Sequence, residues 1–123
     1  MSDRSAVTRT ILFVCEHGVF RSRVAAALFN ALAPDGWRAV SAGRFPEGEL
    51  SDNARRVLSG STAEGCLEEG EAKSIESFSQ ADQIIAIDCD VPGASVWTLQ
   101  HADPDGVAAD LRRRVHDLAE RRS

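Results

Sequence analysis

No apolar run in the 123-residue chain approaches the roughly 20 residues needed to cross a bilayer, which excludes a membrane-spanning helix. There is no surplus of positive charge either. The formal net charge is −5, which argues against nucleic acid or an acidic membrane surface as the main partner. No CxxC pair occurs. The three cysteines, Cys15, Cys66 and Cys89, are odd in number and far apart, so they do not make a disulfide framework. The three histidines, His17, His101 and His116, are scattered as well. A structural zinc site needs four converging ligands, and no such set is visible. The opening MSDRSAVTRT lacks the apolar stretch of a secretory signal, so a cytoplasmic protein is expected.

What is present suits a soluble globular fold. Apolar residues make up 43% of the chain and charged residues 27%, ordinary values for one domain with one core. The pattern predicts a flexible N-terminus over 1–9 and a single domain over 10–123. TILFV (10–14) is β-branched and aromatic and reads as a buried strand. Helix propensity is high from Ser22 to about Ala33, and Pro34-Asp35-Gly36 stops it. RAVSA (38–42) reads as a second strand ending at Gly43. Ser51 or Asp52 caps a helix to Leu58. Residues 61–75 look exposed, and the acidic run Glu64 to Glu76 reads as a solvated face. A short helix is expected over Ser77–Gln80. QIIAI (83–87) and ASVWTL (94–99) read as strands, and Asp103-Pro104-Asp105-Gly106 as a turn. Val107, Leu111, Val115 and Leu118 form one apolar stripe on a last helix. Arg112-Arg113-Arg114 on that helix is expected to face water, and Trp97 to lie in the core. Alternating strands and helices favour an α/β fold, with a parallel sheet covered on both faces.

The segment VCEHGVFRS (14–22) carries the chemistry. Ligands of parallel α/β sheets bind beyond the carboxyl ends of the strands. Cys15 ends the first strand there, and a helix starts a few residues later. Amides at a helix N-terminus, with its positive dipole end, suit an anion. Gly18 can take a positive φ, which lets the amides of Glu16, His17, Gly18, Val19 and Phe20 form a nest. Arg21 brings a guanidinium suited to two-pronged contact with a tetrahedral oxyanion. The same field favours a thiolate at Cys15, and Ser22 can donate to that sulfur. These parts fit a thiolate attacking phosphorus in a cradle that neutralises the equatorial oxygens. Such a reaction needs an acid for the leaving oxygen. Asp103 follows the last expected strand at the same sheet edge, although Asp-Pro-Asp-Gly is also plain turn and helix-cap chemistry. No metal or organic cofactor is expected, because Arg21 and the loop amides supply the positive field.

The chain resembles the low-molecular-weight protein tyrosine phosphatase family, which shares its superfamily with thiol-linked arsenate reductases. VCEHGVFRS resembles the family's phosphate loop, a C-x5-R-S after a strand. SAG (41–43), AKSI and IIAID (within 72–88, with Asp88 on the family's Asp), and ADP (102–104) resemble its other landmarks, in the same order. The resemblance implies a three-layer α/β/α fold with a four-stranded parallel sheet. It implies Cys15 as nucleophile, Arg21 as phosphate clamp, Ser22 as thiolate stabiliser and Asp103 as general acid. The expected substrate is a phosphorylated protein, through phosphotyrosine, or a small phosphate ester. There are departures. Gly18 stands where the family usually has Asn, Glu16 is unusual, and His17 replaces a common Gly. The segment from Asp88 to Asp103 is short, and Asp105 stands where an aromatic often follows Asp-Pro; no tyrosine occurs anywhere. Glu16 is expected to point outward, at the pocket rim. Two other readings stand beside the phosphatase. One is an arsenate reductase using an external thiol, with Cys89 as a possible redox partner. The other is a non-catalytic module that binds phosphate or phosphoprotein.

Overall fold

An unbroken apolar run from Ile11 to Cys15, rich in β-branched and aromatic residues, buries both faces of its strand, Arg9–Cys15. Ile11, Phe13 and Cys15 point to one side, and Leu12 and Val14 to the other. In the computed structural model, which describes residues 8–32 and 34–122, this strand, β1, lies inside a parallel sheet. β2 (Trp37–Gly43) pairs along its whole length, from Arg9 beside Trp37 to Cys15 beside Gly43. β3 (Gln83–Ile87) pairs on the other side, and β4 (Ser95–Trp97) closes that edge. The strand order is β2-β1-β3-β4, the four-stranded parallel sheet expected. Of the N-terminal segment 1–9, residues 1–7 lie outside the described residues, and Arg9 already belongs to β1.

Three α-helices cover one face: α1 (Arg21–Leu32), α2 (Asp52–Leu58) and α3 (Pro104–Arg122). Val24 and Phe29 of α1, Leu58 of α2, and Val107, Leu111, Val115 and Leu118 of α3 meet Ile11, Phe13, Ile85 and Ile87 in one core. Burying each such side chain contributes about 1.5–3 kcal/mol. Trp97 joins this core, with its ring 5.6 Å from Phe13. The other face is covered by a 3-10 helix, Ile75–Phe78, and by chain around Cys89 and Val91. That 3-10 turn replaces the helix expected over Ser77–Gln80.

Several local differences have physical causes. β4 is three residues rather than six, since it meets only the last residues of β3. The β3–β4 connection, residues 88–94, therefore needs no crossover helix, whereas a parallel crossover usually takes about a dozen residues or more. Asp88 starts the reversal with φ +55°. Pro104 is not in a turn but opens α3, where its missing N–H costs nothing. Ser51 caps α2 as expected, accepting from Asn53 N–H. The arginines of 112–114 do not simply face water: Arg112 donates to Val57 O, Arg113 pairs with Asp110, and Arg114 donates to Thr98 O. No helix among the described residues is long and apolar enough to cross a membrane. All four strands end at one edge of the sheet, and the candidate site lies there.

Candidate active site

β1 delivers Cys15 to this edge, only 5% exposed. Between Cys15 and α1 the chain bends without regular structure. Six successive carbonyls of this bend are held from outside it. Cys15 O accepts from Arg44 N–H, Glu16 O from Phe45 N–H, and His17 O from Glu47 N–H. Gly18 O accepts from Arg23 Nε at 2.8 Å. Val19 O accepts from Ser51 N–H, and Phe20 O from Val24 N–H. The N–H groups of residues 16–20 donate to no protein acceptor among the described residues. Carbonyls turned out with amides left free is the arrangement of an anion nest.

Two glycines make the bend possible. Gly18 has φ +75°, and a Cβ there would sit 2.5 Å from Gly43 N. A Cβ on Gly43 would sit 2.5 Å from the carbonyl of His17. The loop backbone thus lies directly on the end of β2, which gives the glycine of SAG its physical reason. The segment 44–51 then runs along the outside of the loop as its hydrogen-bonding partner. His17 Nδ1 lies 3.2 Å from Phe45 O on the same flank. Glu16 is exposed, as expected for an outward carboxylate.

The thiol sits on Ser22. Cys15 Sγ is 3.2 Å from Ser22 Oγ, and Ser22 N–H donates to the sulfur at 3.4 Å. Arg21 is the first residue of α1. Its Nε lies 3.3 Å from Asp88 Oδ2 as an ion pair without hydrogen-bond geometry. Asp88 Oδ1 accepts from Leu99 N–H at 3.0 Å. One carboxylate therefore links the arginine to the segment that leads to Asp103. Arg23 is a second cation here, 3% exposed. Burial lowers its pKa, and the charges of Glu68, Cys15 and Glu49 oppose that shift.

Cys15, Glu16, His17, Gly18, Val19, Phe20, Arg21 and Ser22 thus form one loop. Asp103 lies at the same edge of the sheet, just before α3. Its Oδ2 accepts from Gly106 N–H at 2.8 Å, so the carboxylate caps the helix. No hydrogen bond or ion pair among the described residues joins it to Cys15 or Arg21. Cys89 lies under the end of β1, where its thiol donates to Val14 O at 3.7 Å. Burial raises its pKa, with the Cys15 and Glu16 charges adding to the shift. Cys66 lies elsewhere, at the end of the 3-10 helix Thr62–Cys66. His101 lies 3.7 Å from Asp110. The sequence pattern does not single out Arg23 or Glu68. Glu68, read within a solvated acidic face, instead turns inward and accepts from Ser41 Oγ at 2.8 Å. The available signal was an arginine set within the stretch Ser22 to Ala27, which the core buries throughout.

No protein-family model matches the chain, and no curated protein sequence does. Solved structures do. An arsenate reductase from Archaeoglobus fulgidus is 27% identical over 89% of this chain and 98% of its own, with a TM-score of 0.71. A low molecular weight protein tyrosine phosphatase from T. tengcongensis is 22% identical over 93% and 99%, with a TM-score of 0.69. One from Bacillus subtilis is 20% identical over 91% and 95%, with a TM-score of 0.68. The chain has the α/β fold that these phosphatases and arsenate reductases, members of one superfamily, share.

Proposed function

We propose that the chain is a cysteine-dependent phosphatase that hydrolyses phosphate monoesters, with protein phosphotyrosine as the first substrate class to test. The observation that carries this reading is the loop after Cys15. Its carbonyls are tied outward, its amides are free, and a buried thiol rests on Ser22 beneath them. Arg21 meets Asp88 only through Nε, and its terminal nitrogens make no hydrogen bond among the described residues. That fork suits two oxygens of a phosphoryl group.

In the proposed reaction the Cys15 thiolate attacks phosphorus, an S–P bond forms and the ester P–O bond breaks. The carboxylic acid of Asp103 gives its proton to the leaving oxygen. Asp103, now a carboxylate, takes a proton from water, and that water attacks phosphorus. The S–P bond breaks, releasing inorganic phosphate and the thiolate. Loop amides and Arg21 neutralise the equatorial oxygens in both steps. A nucleophilic thiol must stay reduced, which fits a cytoplasmic setting.

The place of Cys89 favours a second reading. With arsenate, the Cys15 thiolate would attack arsenic: an S–As bond forms, an As–O bond breaks and that oxygen takes a proton and leaves as water, with arsenic still As(V). A second thiolate, from an external thiol or Cys89, would then attack the Cys15 sulfur. The sulfurs would form a disulfide and arsenic would leave as arsenite, reduced by two electrons.

The test is release of nitrophenol from p-nitrophenyl phosphate, with reductant and chelator, beside Cys15→Ser. Turnover lost in Cys15→Ser supports the phosphatase. If turnover does not exceed that of the variant, the reading fails. Arsenate-dependent thiol consumption, with Cys89→Ser as control, then tests the reductase, and phosphopeptide binding tests a non-catalytic module.

A further inference from the structure

Five of the six outward carbonyls in the loop are held by backbone N–H groups, which side-chain substitution does not remove. The sixth is different. Gly18 O, at the residue with φ +75°, is held by a side chain, Arg23 Nε. The loop's turn depends on Gly18, because its left-handed conformation reverses the amide direction.

We propose that Arg23 is a positioning residue for the anion loop: it holds the Gly18 carbonyl outward, so that the neighbouring N–H groups stay turned toward the loop centre. This rests on the phosphate-cradle reading above. The rest of the side chain is built for that task. Its Nη1 donates to Glu68 O at 2.8 Å, and Glu68 Oε1 accepts from Ser41 Oγ. Ser41 stands two residues before Gly43, which abuts Gly18. Gly18, Arg23, Glu68, Ser41 and Gly43 therefore close a ring of contacts around the loop. The position is costly for a cation in two ways. A guanidinium loses solvation when buried, and the positive end of a helix disfavours it. Its neighbours Val24, Ala25 and Ala26 are aliphatic and buried, so Arg23 is a cation set in an otherwise apolar turn of the helix. The hydrogen bonds to Gly18 and Glu68 are what an aliphatic residue cannot supply.

The experiment follows iodoacetamide alkylation of Cys15 in the full chain, by peptide mass spectrometry, as inorganic phosphate is added. The wild type is expected to be protected by phosphate. Arg23→Met, still folded, should need about ten- to hundredfold more phosphate for half protection, the range for losing a hydrogen bond to a charged group. Arg23→Lys keeps the charge without the fork and should fall between. Should Arg23→Met not fold, Arg23→Lys and Ser41→Ala carry the test, the latter with a several-fold loss. A merely structural Arg23 would lower the melting temperature and leave the half-protecting concentration unchanged. That result in the folded variants overturns the proposal. A wild type that phosphate does not protect sinks the phosphate-ester reading itself, and the positioning role with it.

Discussion

The two halves of the candidate site are held in different ways. The loop from Cys15 to Ser22 is anchored mostly through backbone donors of segment 44–51 and through two glycines in contact. The segment from Thr98 to Asp103 is anchored mostly through side chains. Asp110 accepts from Gln100 N–H, Arg114 donates to Thr98 O, Asp88 accepts from Leu99 N–H, and Asp103 caps α3. An anion cradle must be preformed to be worth its cost, and backbone contacts on all sides do that. An acid that meets a leaving group, the role proposed for Asp103, needs less fixed surroundings. Side-chain tethers suit it, and they expose it to mutation.

The largest effect should come from Asp103→Asn. Asparagine caps a helix about as well as aspartate, so the fold should survive. Turnover of phenyl phosphate, whose leaving group needs a proton, should drop roughly 10²–10⁴-fold. Phosphate protection of Cys15 should not change. If turnover stays at the wild-type level, Asp103 is a helix cap and nothing more.

Next is the glycine contact. Gly18→Ala should cost about 3 kcal/mol in denaturant unfolding, because the new Cβ meets backbone that cannot move aside. Gly60→Ala has a similar φ, +81°, but open space. It should cost only about 1 kcal/mol. Equal costs would mean that the close approach to β2 is unimportant.

A smaller effect is expected in the Thr98–Asp103 segment. Asp110 is 2% exposed, and its pKa is lowered by Gln100 N–H and by Arg113, against the opposing effect of burial. A carboxylate with a depressed native pKa contributes stability above the ordinary Asp range. That stability is lost as pH falls through the native value. Asp110→Asn should therefore lose about 1–3 kcal/mol at neutral pH. The gap between melting temperatures should narrow from about pH 7 to about pH 3. A constant gap would show that the carboxylate's charge is not what tethers Gln100. The smallest effect belongs to Arg56→Gln, which breaks the exposed pair with Asp105 at 3.2 Å. It should change stability by about 0–0.5 kcal/mol. A larger loss would mean that the start of α3 depends on that surface contact.

Most of the sheet was legible in the sequence. β1 and β3 are dense β-branched runs, α1 has high helix propensity, and the apolar stripe of α3 matches its buried face. ASVWTL has strand composition throughout, but only Ser95–Trp97 finds a partner. Asp-Pro-Asp-Gly serves equally as a turn and as a helix start, and the structure makes Pro104 the opening of α3. Nothing in the sequence marks Glu68, because an acid within an acidic run looks solvated. Its place is set by Ser41 and Arg23, distant in sequence.

By itself the sequence determined the thiol at a strand end, the glycine that turns the chain, and the arginine and serine that open a helix. These are local: a few residues and their backbone preferences specify them. Only the tertiary structure decided that segment 44–51 holds the loop's carbonyls, that Arg23 Nε holds the Gly18 carbonyl and that Asp88 joins Arg21 to the segment before Asp103. It also decided that α1, α2 and α3 share one face. Those features depend on contacts between residues far apart in the chain, and such contacts exist only once the sheet has brought its carboxyl edge together.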